Sequence, residues 1–151
     1  FGLNSLKYLH IDGTLDWNQP IDDLNFLKGL PNLEVLALGF VSLKSEYPAF
    51  LSVLKLKNLK RIRIGLGTLP TNEYAFLETA LPNTICGAFG KSNNWNLCME
   101  YGDRIEFLGK SAGWVNKNNE NANLRCKEFT SNYEKMKLEA VEIIKNVTNK
   151  K

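Results

Sequence analysis

Apolar residues recur along the first part of the chain in a fixed phrase. Leu30, Leu33, Leu36 and Leu38 mark its clearest copy, Leu3, Leu6, Leu9 and Ile11 precede it, and Leu56, Leu59, Ile62 and Ile64 follow. A degenerate fourth copy runs from Leu81 through Thr84 and Gly87 to Phe89, and its Leu81-Pro82-Asn83 repeats Leu30-Pro31-Asn32. The starts at 3, 30, 56 and 81 give a near-constant period. Within each copy the spacing fits a turn feeding a strand of alternating side chains, which predicts parallel strands near 8–12, 35–39, 61–65 and 85–89. The segments between copies carry helical spacing instead: Leu24, Leu27 and Leu30 with Phe26; Tyr47 and Phe50 with Leu51, Leu54 and Leu56; Tyr74, Phe76, Leu77 and Leu81. Helices of about two turns cannot hide an apolar side alone, so each must stack on its neighbours.

Beyond Phe89 the period disappears. Trp95, Leu97, Met99 and Tyr101 alternate, and Ile105 and Phe107 follow a Tyr101-Gly102-Asp103-Arg104 turn, which predicts a hairpin closing the sheet edge. A glycine- and asparagine-rich loop spans 109–123. From Cys126 to Val147, Phe129, Tyr133, Met136, Ala140, Ile143 or Ile144, and Val147 recur every three or four residues, the mark of an amphipathic helix. That helix is expected to cap the last repeat.

The recurring phrase resembles the leucine-rich repeat over about residues 1–90. The resemblance implies an α/β fold: a right-handed solenoid with a parallel concave sheet, short convex helices and a C-terminal β/helical cap over 91–151. It also implies protein binding; a solenoid end needs a capping unit and none fits in front of Leu3, so the expectation is either additional repeats N-terminal to Phe1 or a partner that meets Phe1 and Leu3. Gly13, Phe40 and Leu66 stand just past the strands, where known repeats usually carry Asn or Cys. The repeats are therefore irregular.

Charge and composition narrow the reading. The formal net charge is +3, but residues 1–80 hold eight basic and eight acidic side chains. A balanced repeat region lacks the basic stripe that nucleic-acid backbones require, so no nucleic-acid partner is expected. No apolar run is long enough for a transmembrane helix, and the mixed charges of the terminal helix, with Lys135, Lys137 and Lys145 beside Glu134, Glu139 and Glu142, give no basis for membrane attraction. Cys86, Cys98 and Cys126 are too widely spaced for a metal-ligand pair and allow at most one disulfide, which slightly favours a reducing, cytoplasmic setting.

Catalytic and cofactor signatures are incomplete. Gly90-Lys91-Ser92 and Gly109-Lys110-Ser111 end like phosphate loops, but Ile85 and Arg104 occupy the position of the required first glycine. Gly65-Leu66-Gly67 lacks the third glycine of a dinucleotide fingerprint. His10 is the only histidine, and the carboxylates are scattered. Neither an enzyme activity, a cofactor nor a metal is expected within this chain.

If inward leucines pack the core, their neighbours face the concave side. Stacking the copies gives columns of Tyr8, Val35, Arg61 and Cys86; of His10, Ala37, Arg63 and Ala88; and of Asp12, Gly39, Gly65 and Gly90. Tyr8, His10, Asp12, Val35, Ala37, Arg61 and Arg63 form the candidate binding surface, with arginines able to grip a partner carboxylate. A separate Lys7, Glu34, Lys60 column reads as structural support. The expected function is noncatalytic recognition of a protein partner through the concave sheet and adjacent loops. The alternative is a repeat segment that positions substrate for a larger enzyme whose catalytic residues lie outside the chain.

Overall fold

A computed structural model describes residues 3–88 and 94–150. Phe1, Phe89 and the Gly90-Lys91-Ser92 motif lie outside them. The strands are β1 (Tyr8–Asp12), β2 (Gln19–Ile21), β3 (Val35–Gly39), β4 (Val41–Leu43), β5 (Arg61–Ile64), β6 (Ile85–Gly87), β7 (Cys98–Tyr101), β8 (Arg104–Phe107) and β9 (Trp114–Asn116). Among the described residues there are two α-helices, α1 (Thr71–Ala80) and α2 (Ala122–Thr148).

These strands form three separate sheets. A parallel sheet has the order β1-β3-β5-β6, a second parallel sheet pairs β2 with β4, and an antiparallel sheet runs β7-β8-β9. The fold is a small mixed α/β domain, and the expected leucine-rich repeat solenoid with one continuous concave sheet is not found. Three features overturn it. The first two return segments are 3-10 helices of five residues, Asn25–Gly29 and Leu51–Lys55, where short α-helices were expected. The 3-10 ladder is tighter and poorer than the α ladder, so it persists only over short runs. After β5 the chain enters α1 without forming a third partner for β2 and β4. The hairpin then builds its own antiparallel sheet and does not extend the parallel one.

The apolar phrase still explains the parallel sheet locally. In each copy the same turn closes through a backbone bond: Leu6 to Leu3, Leu33 to Leu30, Leu59 to Leu56 and Thr84 to Leu81. Asparagine side chains tie successive turns together, Asn32 Nδ2 donating to the Asn4 carbonyl at 2.7 Å and Asn58 Nδ2 to the Pro31 carbonyl at 3.1 Å. Lys7 and Lys60 flank Glu34 at 3.2 and 2.6 Å, and their ammonium groups hold its carboxyl below the usual range, Lys60 most strongly. Inward from the strands, Leu36, Leu38, Ile62 and Ile64 are fully buried with Leu24, Leu27 and Phe50. Trp17, in the loop between β1 and β2, is largely exposed.

The C-terminal part joins the same core. Trp95, Leu108, Tyr133 and Ala140 cluster with the strand leucines, and α2 lies against α1. Tyr133 donates to Glu78 Oε2 of α1 at 2.6 Å, while Lys137 approaches Glu78 Oε1 at 3.6 Å. Phe107 stacks on Phe129, binding the antiparallel sheet to α2. The loop expected over 109–123 contains β9, whose Val115 is buried.

Candidate functional site: a buried glutamate beside a polar cavity

The carboxyl ends of β3 and β5 run out at Gly39 and Ile64, and the following loops lead to β4 and α1. Open α/β sheets tend to bind ligands beyond the carboxyl ends of their strands, where the connections diverge. Tyr74 of α1 shapes this rim. Its hydroxyl accepts from the Thr68 and Leu69 amides at 3.1 and 3.2 Å and donates to the Gly65 carbonyl, gathering the whole 65–69 loop around one buried ring. Burial pushes the Tyr74 hydroxyl up to about 12, so it stays a donor. Trp95 packs edge-on against that ring at 4.9 Å.

A second strap comes from the loop after β8. Gly109 and Lys110 donate their amides to the Leu66 and Leu69 carbonyls at 2.9 and 2.7 Å, and Thr71 Oγ1 donates to the Leu108 carbonyl at 2.8 Å. Gly109 has φ +122°, and a side chain there would collide with Thr71. Only glycine fits this close approach without strain. The strap brings Lys110, an exposed residue, into the lining of a cavity of about 190 Å³. The rest of its lining comes from Ser42, Leu43, Ser45 and Tyr47 of β4 and the loop after it, and from Thr68, Leu69, Pro70, Asn72 and Glu73 at and before the start of α1. Thr68 and Lys110 also border a wider space of about 390 Å³, walled by Asn18, Gly39, Phe40, Val41, Gly65 and Gly67.

Glu73 dominates the smaller cavity. It is only 3% exposed, and its Oε1 accepts the Ala49 amide at 2.8 Å. Its Oε2 has no hydrogen-bond partner, and neither do the buried Tyr47 hydroxyl and Asn72 Oδ1 in the same lining. Desolvation raises the Glu73 carboxyl to about 7, the Ala49 amide opposing this only in part. Burial, together with Glu73 and Glu139, raises Tyr47. Buried polar groups are normally satisfied, and leaving one unpaired costs about 1 to 3 kcal/mol. Three such atoms around one cavity are a concentrated cost.

The residues expected to bind lie elsewhere. Tyr8, Val35 and Arg61 stand in register, as do His10, Ala37 and Arg63, on the outer face of the parallel sheet. Ala37 is fully buried, in register between His10 and Arg63, and so cannot contribute its side chain to a surface. Asp12 lies 3.5 Å from His10, and its carboxylate crowds Gly39. The fourth strand is shifted: Ile85 pairs with Arg61, while Cys86 pairs with Ile62 and is buried. With no continuous concave sheet, the expected protein interface loses its surface, and so do the repeat-based protein partner and the reading as a substrate-positioning repeat of a larger enzyme.

Leucine spacing alone does not single out Glu73 in α1. A signal was present: Glu73, Phe76, Leu77 and Ala80 share a face at helical spacing, which puts a carboxylate inside an apolar stripe. Among the described residues no cluster of His, Cys, Asp and Glu could hold a metal ion, and no helix is long and apolar enough to cross a membrane. Comparison with protein-family models, curated proteins and solved structures finds no match.

Proposed function

We propose that this chain is a noncatalytic domain that holds a small polar molecule in the cavity beside Glu73. The observation that carries this is that Tyr47, Asn72 and Glu73 line one cavity and that each holds a buried polar atom without a hydrogen-bond partner. A pocket with few, well-placed polar groups at the carboxyl ends of parallel strands is the usual form of a small-ligand site. Glu73 is the one carboxylate in that lining, which supports binding in preference to proton exchange between paired acids. Cys86, Cys98 and Cys126 are free thiols, in keeping with a reducing compartment such as the cytoplasm.

Amide and side-chain NMR spectra recorded with mixtures of small polyols, amides, amines and carboxylates test the reading. Shifts should concentrate at Tyr47, Asn72 and Glu73, and should vanish in Ser42→Leu, which fills the cavity from β4. Shifts scattered over the surface, or unchanged by that substitution, would rule the site out.

A further inference from the structure

Two of the three cysteines meet. Cys98 opens β7 and Cys126 lies in the second turn of α2, 28 residues apart in sequence. Cys98 Sγ donates to the Cys126 carbonyl at 3.9 Å, and the two thiols lie within hydrogen-bond reach of each other. Both are half-buried and border one open cleft with Asn96, Lys127, Thr130 and Ser131, which shares no lining residue with the Glu73 cavity. Cys86 is placed differently, buried in β6 in register with Ile62.

A disulfide demands close, well-directed sulfurs, so contact between two thiols on separate elements says more than the presence of two cysteines. The cleft leaves this pair within reach of a dissolved reagent, unlike Cys86. We propose that Cys98 and Cys126 form a reversible modification site, oxidised to one disulfide by low-molecular-weight disulfides of the glutathione type. The bridge pins the antiparallel sheet to α2, which otherwise meet through the stacked rings of Phe107 and Phe129.

The chemistry runs in two exchanges. Desolvation first, and then the Cys126 thiol, push Cys98 up to about 12, so Cys98 stays protonated and Cys126 reacts first. The Cys126 thiolate attacks one sulfur of the reagent, whose S–S bond breaks; a mixed disulfide forms, and the departing thiolate takes up the proton that Cys126 released. Cys98, whose sulfur receives a hydrogen bond from Thr130, then loses its proton to solvent and attacks Cys126 Sγ, expelling the second thiol. Two protein thiols have given up two electrons and two protons, and one reagent disulfide has become two thiols.

The test is oxidation of the folded full chain with oxidised glutathione, an acid quench, and peptide mapping by mass spectrometry, with thermal melts before and after dithiothreitol. The Cys98–Cys126 bridge should outnumber mixed disulfides at least about tenfold, because preset proximity favours the intramolecular attack. Closing that loop should raise Tm by roughly 5 °C or more, and dithiothreitol should restore both thiols and the original Tm. In Cys98→Ser a mixed disulfide should accumulate on Cys126, whereas in Cys126→Ser Cys98 should remain a thiol. The map of the parent chain decides the matter even where a variant fails to fold. A bridge that includes Cys86, mixed disulfides in place of a bridge, a chain left fully reduced, or a Tm that does not rise would each overturn the inference.

Discussion

Two regions of one core treat their polar groups in opposite ways. Along the turns before β1, β3 and β5, Asn32 and Asn58 find backbone carbonyls, and Glu34 holds two lysines. At the junction of β4 and α1, Tyr47, Asn72 and Glu73 leave polar atoms buried and unpaired. The contrast recurs on a single helix: Glu78 receives the Tyr133 hydroxyl, while Glu73, five residues earlier, keeps one oxygen without a hydrogen-bond partner. Satisfied groups hold structure together. The unsatisfied set is a cost that the fold carries at one place, and costs of that kind collect at binding sites.

The sharpest break in the comparison comes from the satisfied region's core. Leu36 is fully buried in β3. Leu36→Ala should lower unfolding free energy by about 2 to 5 kcal/mol through lost transfer energy and a residual cavity. Chemical denaturation reads this directly, and a loss below about 1 kcal/mol would mean that the site collapses around the missing atoms.

Glu73→Gln should act in the opposite direction, and only at higher pH. The folded state raises this carboxyl from 4.5 to about 7, so the folded protein holds the proton more tightly than the unfolded chain. Stability therefore falls as pH rises from about 4.5 and levels off above 7, at a cost on the order of 3 kcal/mol. The amide retains an acceptor for Ala49 N–H but carries no charge. Thermal melts should show the variant more stable than the parent at pH 8 and little different at pH 4.

Tyr133→Phe probes the paired glutamate on α1. Removing the hydroxyl takes a hydrogen bond from Glu78 while preserving the ring, and should cost about 1 to 2 kcal/mol at neutral pH. Equal stability in parent and variant would show that solvent replaces the bond freely. The smallest effect belongs to Glu34→Gln. Its lysine neighbours lower its carboxyl, so they stabilise the fold above the ordinary carboxylate range and that contribution fades as pH falls through the depressed value. Salt should screen it, and melts in low and high salt should converge.

These regions also differ in how openly the sequence displays them. The turns and strands around Leu33, Leu36 and Ile62 are written three times over in local spacing, so their positions and the pairing of Val35 with Tyr8 and Arg61 could be read from the chain. The wider architecture could not. Leucine spacing does not distinguish a 3-10 turn from an α-helix over five residues, as at Asn25–Gly29, and nothing local tells β2 and β4 to pair apart from the main sheet. The fourth strand slipped by one residue because its guide leucines are missing, which sent Cys86 into the core. The cavity was hidden for another reason. It is assembled from β4, the loop after it, the start of α1 and the strap at Lys110, segments up to 68 residues apart between Ser42 and Lys110, and no spacing rule joins them.

Everything proposed for the cavity depends on Glu73 being buried with one oxygen unpaired. Carbon-13 NMR titration of the Glu73 side-chain carboxyl, assigned by its loss in Glu73→Gln, measures that condition at the atom concerned. The expected midpoint lies near 7, well above the ordinary 4.5. A midpoint at the ordinary value would show a carboxylate that is hydrated or paired, and the cavity would then hold no unmet demand for a ligand.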